Sequence, residues 1–148
     1  FSMIFTIHLL VGAAIATQIK IIPLAFLLAF FSHYFLDSLP HWDYFVKNIQ
    51  IKNWGESLPE FLKGGLDMLL GLGIILFFSR DIFVLLGAFF AVLVDVLIFL
   101  NLIFSSKWLK IHNDLHLKIH FPEDKKVSSF LTIPNQLIIV IIAVFFLR

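Results

Sequence analysis

The chain has 148 residues, a formal net charge of +1 and no cysteine, and 60% of it is hydrophobic against 14% charged. A soluble domain carries about half apolar and about a quarter charged residues, so an ordinary water-facing globule is excluded as the expectation. The net charge says little about partners, no basic cluster suggests nucleic acid, and the absence of cysteine excludes disulfides, thiolate metal sites and a cysteine nucleophile.

Long apolar runs predict an all-α integral membrane protein in the lipid bilayer. A single helical domain over 1–148 is expected, because no polar linker is long enough to divide the chain. Five spans are expected, at about 3–19, 21–38, 62–79, 82–104 and 132–147. No charged segment precedes the first run, so it does not read as a cleaved signal peptide. That run is short and carries His8 and Gln18, so it would cross only with tilt or local thinning of the bilayer. Tight connections at Gln18 to Pro23 and at Ser79-Arg80-Asp81 make two transmembrane hairpins, about 3–38 and 62–104, followed by a C-terminal span. Pro23 fits the first turn of the second helix, where a missing N–H does no harm.

The long loops, about 39–61 and 105–131, then share one side of the membrane. That side holds Lys47, Lys52, Lys63, Lys107, Lys110, Lys118, Lys125 and Lys126, against Lys20, Arg80 and Arg148 opposite, which predicts cytoplasmic loops. Trp42, Trp54 and Trp108 fall on the same side, where interfacial aromatics belong. An internal repeat supports the hairpins. His8-Leu-Leu-Val-Gly12 aligns with Asp67-Met-Leu-Leu-Gly71, and the segment from Ala29 to Asp37 aligns with that from Gly87 to Asp95. Chance matching of apolar sequence is the alternative; a true repeat would gather the polar positions about a pseudo-twofold axis.

The ionisable residues crowd toward one end of these helices. His33 and Asp37 share a helix face one turn apart, and Pro40 breaks the helix before His41 continues the stripe. Ionisable groups at membrane depth are costly and face each other, water or a metal. Neutral imidazole and ionised carboxylate suit zinc or manganese, which makes His8, His33, Asp37 and His41 the candidate metal ligands. The competing reading of His41 and Asp43 is interfacial, and that of His8 is an interhelical hydrogen bond. Asp67, Asp95, His112 and His116 are the candidate catalytic residues. Asp67 reads equally as a carboxylate paired with Lys63, whereas Asp95 lies deep with no cation near it in sequence. His112, His116 and His120 recur every four residues and, if helical, form one stripe beside Ile111, Leu115 and Ile119. An interfacial amphipathic helix is expected there, able to lower His112 and His116 over the cluster as a lid, with Asp114 orienting one of the rings.

His8-Leu-Leu-Val-Gly12 and Phe31-Ser-His-Tyr-Phe-Leu-Asp-Ser-Leu-Pro40 resemble motifs of bacterial inner-membrane metal-dependent hydrolases, the YdjM-like family. The second is also similar to the His-x-x-x-Asp helix of zinc-dependent phospholipase C-like proteins. The resemblance implies a helical membrane protein of a bacterial or archaeal cytoplasmic membrane, with His8, His33 and Asp37 as ligands and a hydrolase activity. Leu93-Val94-Asp95 resembles a degenerate form of the family's Leu-Pro-Asp segment; its His-Arg-Gly-x-Thr-His-Ser stretch is absent. Together these expectations describe a metal-dependent hydrolase, zinc-loaded or manganese-loaded, acting on a phospholipid or other lipid-linked ester at the cytoplasmic interface. The alternatives are a metal- or proton-handling transporter and a small scaffold subunit.

Overall fold

Small residues decide which helix lies at the centre. In the computed structural model, which describes residues 4–41, 46–104, 106–121 and 129–148, α1 (Phe5–Gln18) packs against four other helices. These are α2 (Ile22–Ser38), α4 (Leu58–Phe78), α5 (Ile82–Ile103) and α7 (Ser129–Phe146). The remaining α-helices are the short α3 (Lys47–Gln50) and α6 (Lys107–Ile119); among the described residues there is no strand. Gly12, Ala13 and Ala14 of α1 are buried, and Gly12 meets Gly87 and Ala91 of α5 so closely that backbone touches backbone. A Cβ added at Gly12 would stand 2.5 Å from both Ala91 Cβ and the Gly87 carbonyl oxygen. Contact of this kind lets two helices approach without a large side chain between them.

Ends and caps follow local chemistry. Pro23 and Pro59 sit in the first turns of α2 and α4, where no intrahelical N–H bond is lost. Asp81 caps α5 by accepting from the Phe83 amide at 2.9 Å. The Glu60 carboxylate reaches across to accept from the amides of Asn48 and Ile49, which ties α3 to the start of α4. As expected, α2 ends just before Pro40 and an amphipathic helix covers the His112 segment. Trp42, Asp43, Lys125 and Lys126 lie outside the described residues.

The expectation of five spans gives way to two. Among the described residues, only α4 and α5, with 21 and 22 residues, are long and apolar enough to cross a membrane. At about 1.5 Å per residue, helices of 14 and 17 residues such as α1 and α2 reach about 21 and about 26 Å, short of a hydrocarbon core about 30 Å thick. Within α7, the stretch Thr132–Phe146 also belongs with the shorter apolar helices. Hydropathy alone does not separate these cases, because α1 spends its apolar residues on packing against protein.

The second hairpin also differs from the one expected. The helix α4 docks on α1, whereas α5 packs against α1 and α2, so α4 and α5 are not equivalent to the tightly packed α1 and α2.

The close contact predicts its own test. Gly12→Val should lower the thermal unfolding midpoint in detergent, with an overpacking cost of about 1–3 kcal/mol. Gly73→Ala, where an added Cβ meets nothing within 4 Å, should leave the midpoint unchanged or raise it. Equal behaviour of the two variants would contradict the packing described.

Candidate metal centre

The first ionisable residues come from the start of α1, the end of α2 and the second half of α5, which the packing brings to one end of the bundle. Asp37 is the meeting point, with 1% of its surface exposed. Its Oδ1 lies 3.4 Å from His8 Nε2, and its Oδ2 lies 3.1 Å from His33 Nε2. The α6 helix adds His116, whose Nε2–H donates to Asp37 Oδ2 at 2.7 Å. Asp95 Oδ1 lies 3.7 Å from His33 Nε2. His8, His33, Asp37, Asp95 and His116 are all buried, and the His8 and His33 rings stack with centroids 4.2 Å apart.

The orientation of His33 carries the most information. Its Nδ1 is 2.8 Å from the Ala91 carbonyl oxygen, which can only accept, so Nδ1 holds a proton. In the neutral ring Nε2 is then a bare lone pair, and it faces carboxylate oxygens of Asp37 and Asp95. Nε2 is buried and makes no hydrogen bond among the described residues, nor do Asp37 Oδ1 and Asp95 Oδ2. Lone pairs gathered this way repel unless a proton or a metal cation lies among them. An N–H donated to a backbone carbonyl is how proteins fix the tautomer and direction of a ligating imidazole.

The spacing fits the same chemistry. Tetrahedral ligands held at about 2.0–2.1 Å from zinc are about 3.3 Å apart, and the separations of 3.1, 3.4 and 3.7 Å bracket that value. One ligand atom from each of His8, His33 and Asp37 lies within 4.8 Å of the others, and the same holds for His33, Asp95 and His116. The two groups share His33, so these buried histidines and aspartates can hold a metal ion.

Other residues of the sequence reading fall elsewhere. Asp67 does not join the cluster: its Oδ1 accepts from the Thr6 amide at 3.3 Å and lies 2.7 Å from the Thr6 hydroxyl. The aspartate thereby holds the first turn of α1 against α4, a pairing with Thr6 that the lysine at position 63 had obscured. His112 stands one layer outside, where the Tyr34 hydroxyl meets its Nε2 at 2.8 Å. Asp114 is exposed. His41 lies against His120, with ring centroids 5.1 Å apart, and both come within ligand range of Asp37. Sequence reasoning placed His120 on the histidine stripe without making it a site residue, and it passed over Tyr34. The four-residue spacing from His116 to His120 was the available signal for the first; Tyr34 carried none.

Among the described residues the protein is thus all-helical, with two helices long and apolar enough to cross a membrane and a buried His/Asp cluster of metal-ligand type. Comparison with known proteins finds no matching family model, no matching curated protein and no matching solved structure.

Burial, then repulsion from His116 and His33, lowers the pKa of His112 below its ordinary 6.5. Neutral His112 can accept a hydrogen bond at Nε2 from the Tyr34 hydroxyl. Because the unfolded chain takes up a proton on His112 more readily than the folded one, the contribution is intact above pH 6.5 and is lost as pH falls toward the lowered folded value. An NMR titration of the His112 ring should give a midpoint below 6.5; a midpoint at or above that value would contradict the assigned environment.

Proposed function

We propose that the protein is a membrane-embedded, metal-dependent hydrolase, with His8, His33 and Asp37 as its principal ligands and Asp95 and His116 completing the centre. The observation that carries this reading is the backbone-anchored His33 ring, whose buried Nε2 is aimed at two carboxylates. A divalent cation held there, zinc first and manganese second, supplies Lewis acidity toward a phosphoryl or acyl oxygen and toward water. The chain's own residues do the rest. Ala91 holds the His33 tautomer, Asp37 and Asp95 balance the cation's charge, and His116 carries a proton at Nε2 beside Asp37. With Tyr34, His112 forms an outer pair through which a proton can pass toward solvent.

Membrane embedding is supported by the outer surface as well as by α4 and α5. Phe31 and Phe35 of α2, Leu66 and Phe77 of α4, and Ile141 and Phe145 of α7 are all exposed. An apolar coat this extensive marks a membrane or partner surface. On α6, Trp108, Ile111, Leu115 and Ile119 form an exposed apolar stripe, while His112 and His116 turn inward. That disposition suits a helix lying at the interface, its flanking lysines toward anionic headgroups on the cytoplasmic side.

A lipid ester or phosphoester is the substrate class this placement favours. An apolar cavity of about 470 Å³ runs along α1, α2 and α7, lined among others by Ile15, Phe35, Leu36, Leu39 and Ile142. Leu36 and Leu39 place its upper part on the flank of α2 next to the Asp37 face, as acyl chains of a bound lipid would require. Convergence of the polar groups at one end, without a file of them crossing the bundle among the described residues, favours a site over a transport path. The resemblance of the His8 and His33–Asp37 segments to inner-membrane metal-dependent hydrolases points the same way.

Elemental analysis of detergent-purified protein should find zinc or manganese bound at one equivalent or more. His33→Ala should weaken zinc binding beyond the roughly 10–100-fold that loss of an outer hydrogen bond costs, and should abolish hydrolysis of a lipid phosphoester in mixed micelles. Folded wild type that takes up neither metal after incubation with both would overturn the reading.

A further inference from the structure

Beside the centre just described, and resting on that reading, two further histidines converge on Asp37 without a role in it. Asp37, His41 and His120 each present one ligand atom, and these atoms lie within 4.8 Å of one another. His41 follows Pro40 at the end of α2, and His120 caps the end of α6. Their positions are set by backbone bonds that involve no ligand. The Phe121 amide donates to the Asp37 carbonyl at 2.8 Å, pinning the end of α6 to α2. Asn135 Nδ2 of α7 donates to the Pro40 carbonyl at 3.1 Å, which holds the turn that carries His41.

Both rings are oriented as His33 is. His41 Nδ1–H donates to the Leu39 carbonyl at 2.6 Å, and His120 Nδ1–H donates to the Phe121 carbonyl at 2.8 Å. Each neutral ring therefore carries its lone pair on Nε2. His120 Nε2 is buried and makes no hydrogen bond among the described residues. Asp37 Oδ1 is in the same condition, on a carboxylate that is 1% exposed. Its other oxygen, Oδ2, is the one that meets His33 and His116. One carboxylate thus belongs to two histidine groups.

We propose that Asp37, His41 and His120 form a second divalent-cation site, with the Asp37 carboxylate shared between the two. The first site takes His8 and His33 from the bundle interior; the second takes histidines from the two chain segments that close its end. Two cations sharing a carboxylate form the arrangement that can stabilise both the entering and the departing oxygen of a displacement. The second site also makes the docking of α6 responsive to metal, because His116 and His120 of one segment face different members of the pair.

Zinc alone is the probe. Chelator-treated, detergent-solubilised full chain is equilibrated with excess zinc, desalted and assayed for bound metal, beside a His41→Ala/His120→Ala double variant and a His41→Gln/His120→Gln version of it. Two zinc ions per wild-type chain, falling to one in both double variants, are expected. One ion in wild type, or two in wild type and in the variants, would overturn the second site while leaving the first in place. None in wild type would overturn both. Because the deciding number comes from wild type, variants that fail to fold leave the test intact.

Discussion

The burial of the Asp37 carboxylate is the constraint around which this protein is arranged. Taking an ionised carboxylate out of water costs several kcal/mol even after relaxation, and the cost is offset only by close partners of opposite or complementary character. Asp37 has no lysine or arginine in contact among the described residues; its partners are His8, His33 and His116. Each comes from a different helix, so the three must meet for the carboxylate to be tolerated. The depth of α1, the register of α2 and the docking of α6 are therefore linked through one side chain. A cation among these groups would strengthen the link, since it would satisfy His33 Nε2 and Asp37 Oδ1, which make no hydrogen bond among the described residues.

The close contact between α1 and α5 serves the same end. With Gly12 against Gly87 and Ala91, α5 comes near enough for the Ala91 carbonyl to take the His33 proton and for Asp95 to reach the His33 ring. A larger residue at either glycine would push α5 away and take both groups with it. Packing and chemistry are thus one problem: the residues that let the helices touch also hold the tautomer that makes His33 a ligand. Thr6 and Asp67 do comparable work on the opposite flank, where they lock the start of α1 to α4 and so fix His8 two residues further on.

The outer surface poses a different requirement. The exposed leucines, isoleucines and phenylalanines of α2, α4 and α7 are left uncovered by the other described residues, and under the proposed membrane placement a bilayer would supply the missing apolar solvent. Within that solvent α1 is shielded, because four helices surround it. The polar cluster gathers at the end closed by α6, whose apolar stripe faces outward and whose histidines face inward. An amphipathic helix of this kind can lie at headgroup depth and still contribute ligands, as the proposed lipid-directed metal centre would need.

The sequence by itself determined that the chain is helical and apolar, that α2 stops before Pro40, and that His8, His33 and Asp37 belong together. Those features are local: helix period, a proline's missing N–H, and the cost of ionisable groups among apolar ones are all visible in linear order. It also foresaw the inward histidine stripe of α6, because His112 and His116 are one turn apart. Only the tertiary structure decided how many of the apolar runs are long enough to cross a membrane, since a run that packs against protein has the same composition as one that meets lipid. The pairing of Asp67 with Thr6, the reach of Tyr34 to His112, and the arrival of His120 beside Asp37 depend on contacts between distant segments. So does the His33 tautomer, which is set by a main-chain oxygen of Ala91. Every residue carries such a carbonyl, so no side-chain pattern can mark the one that matters; helix packing selects it.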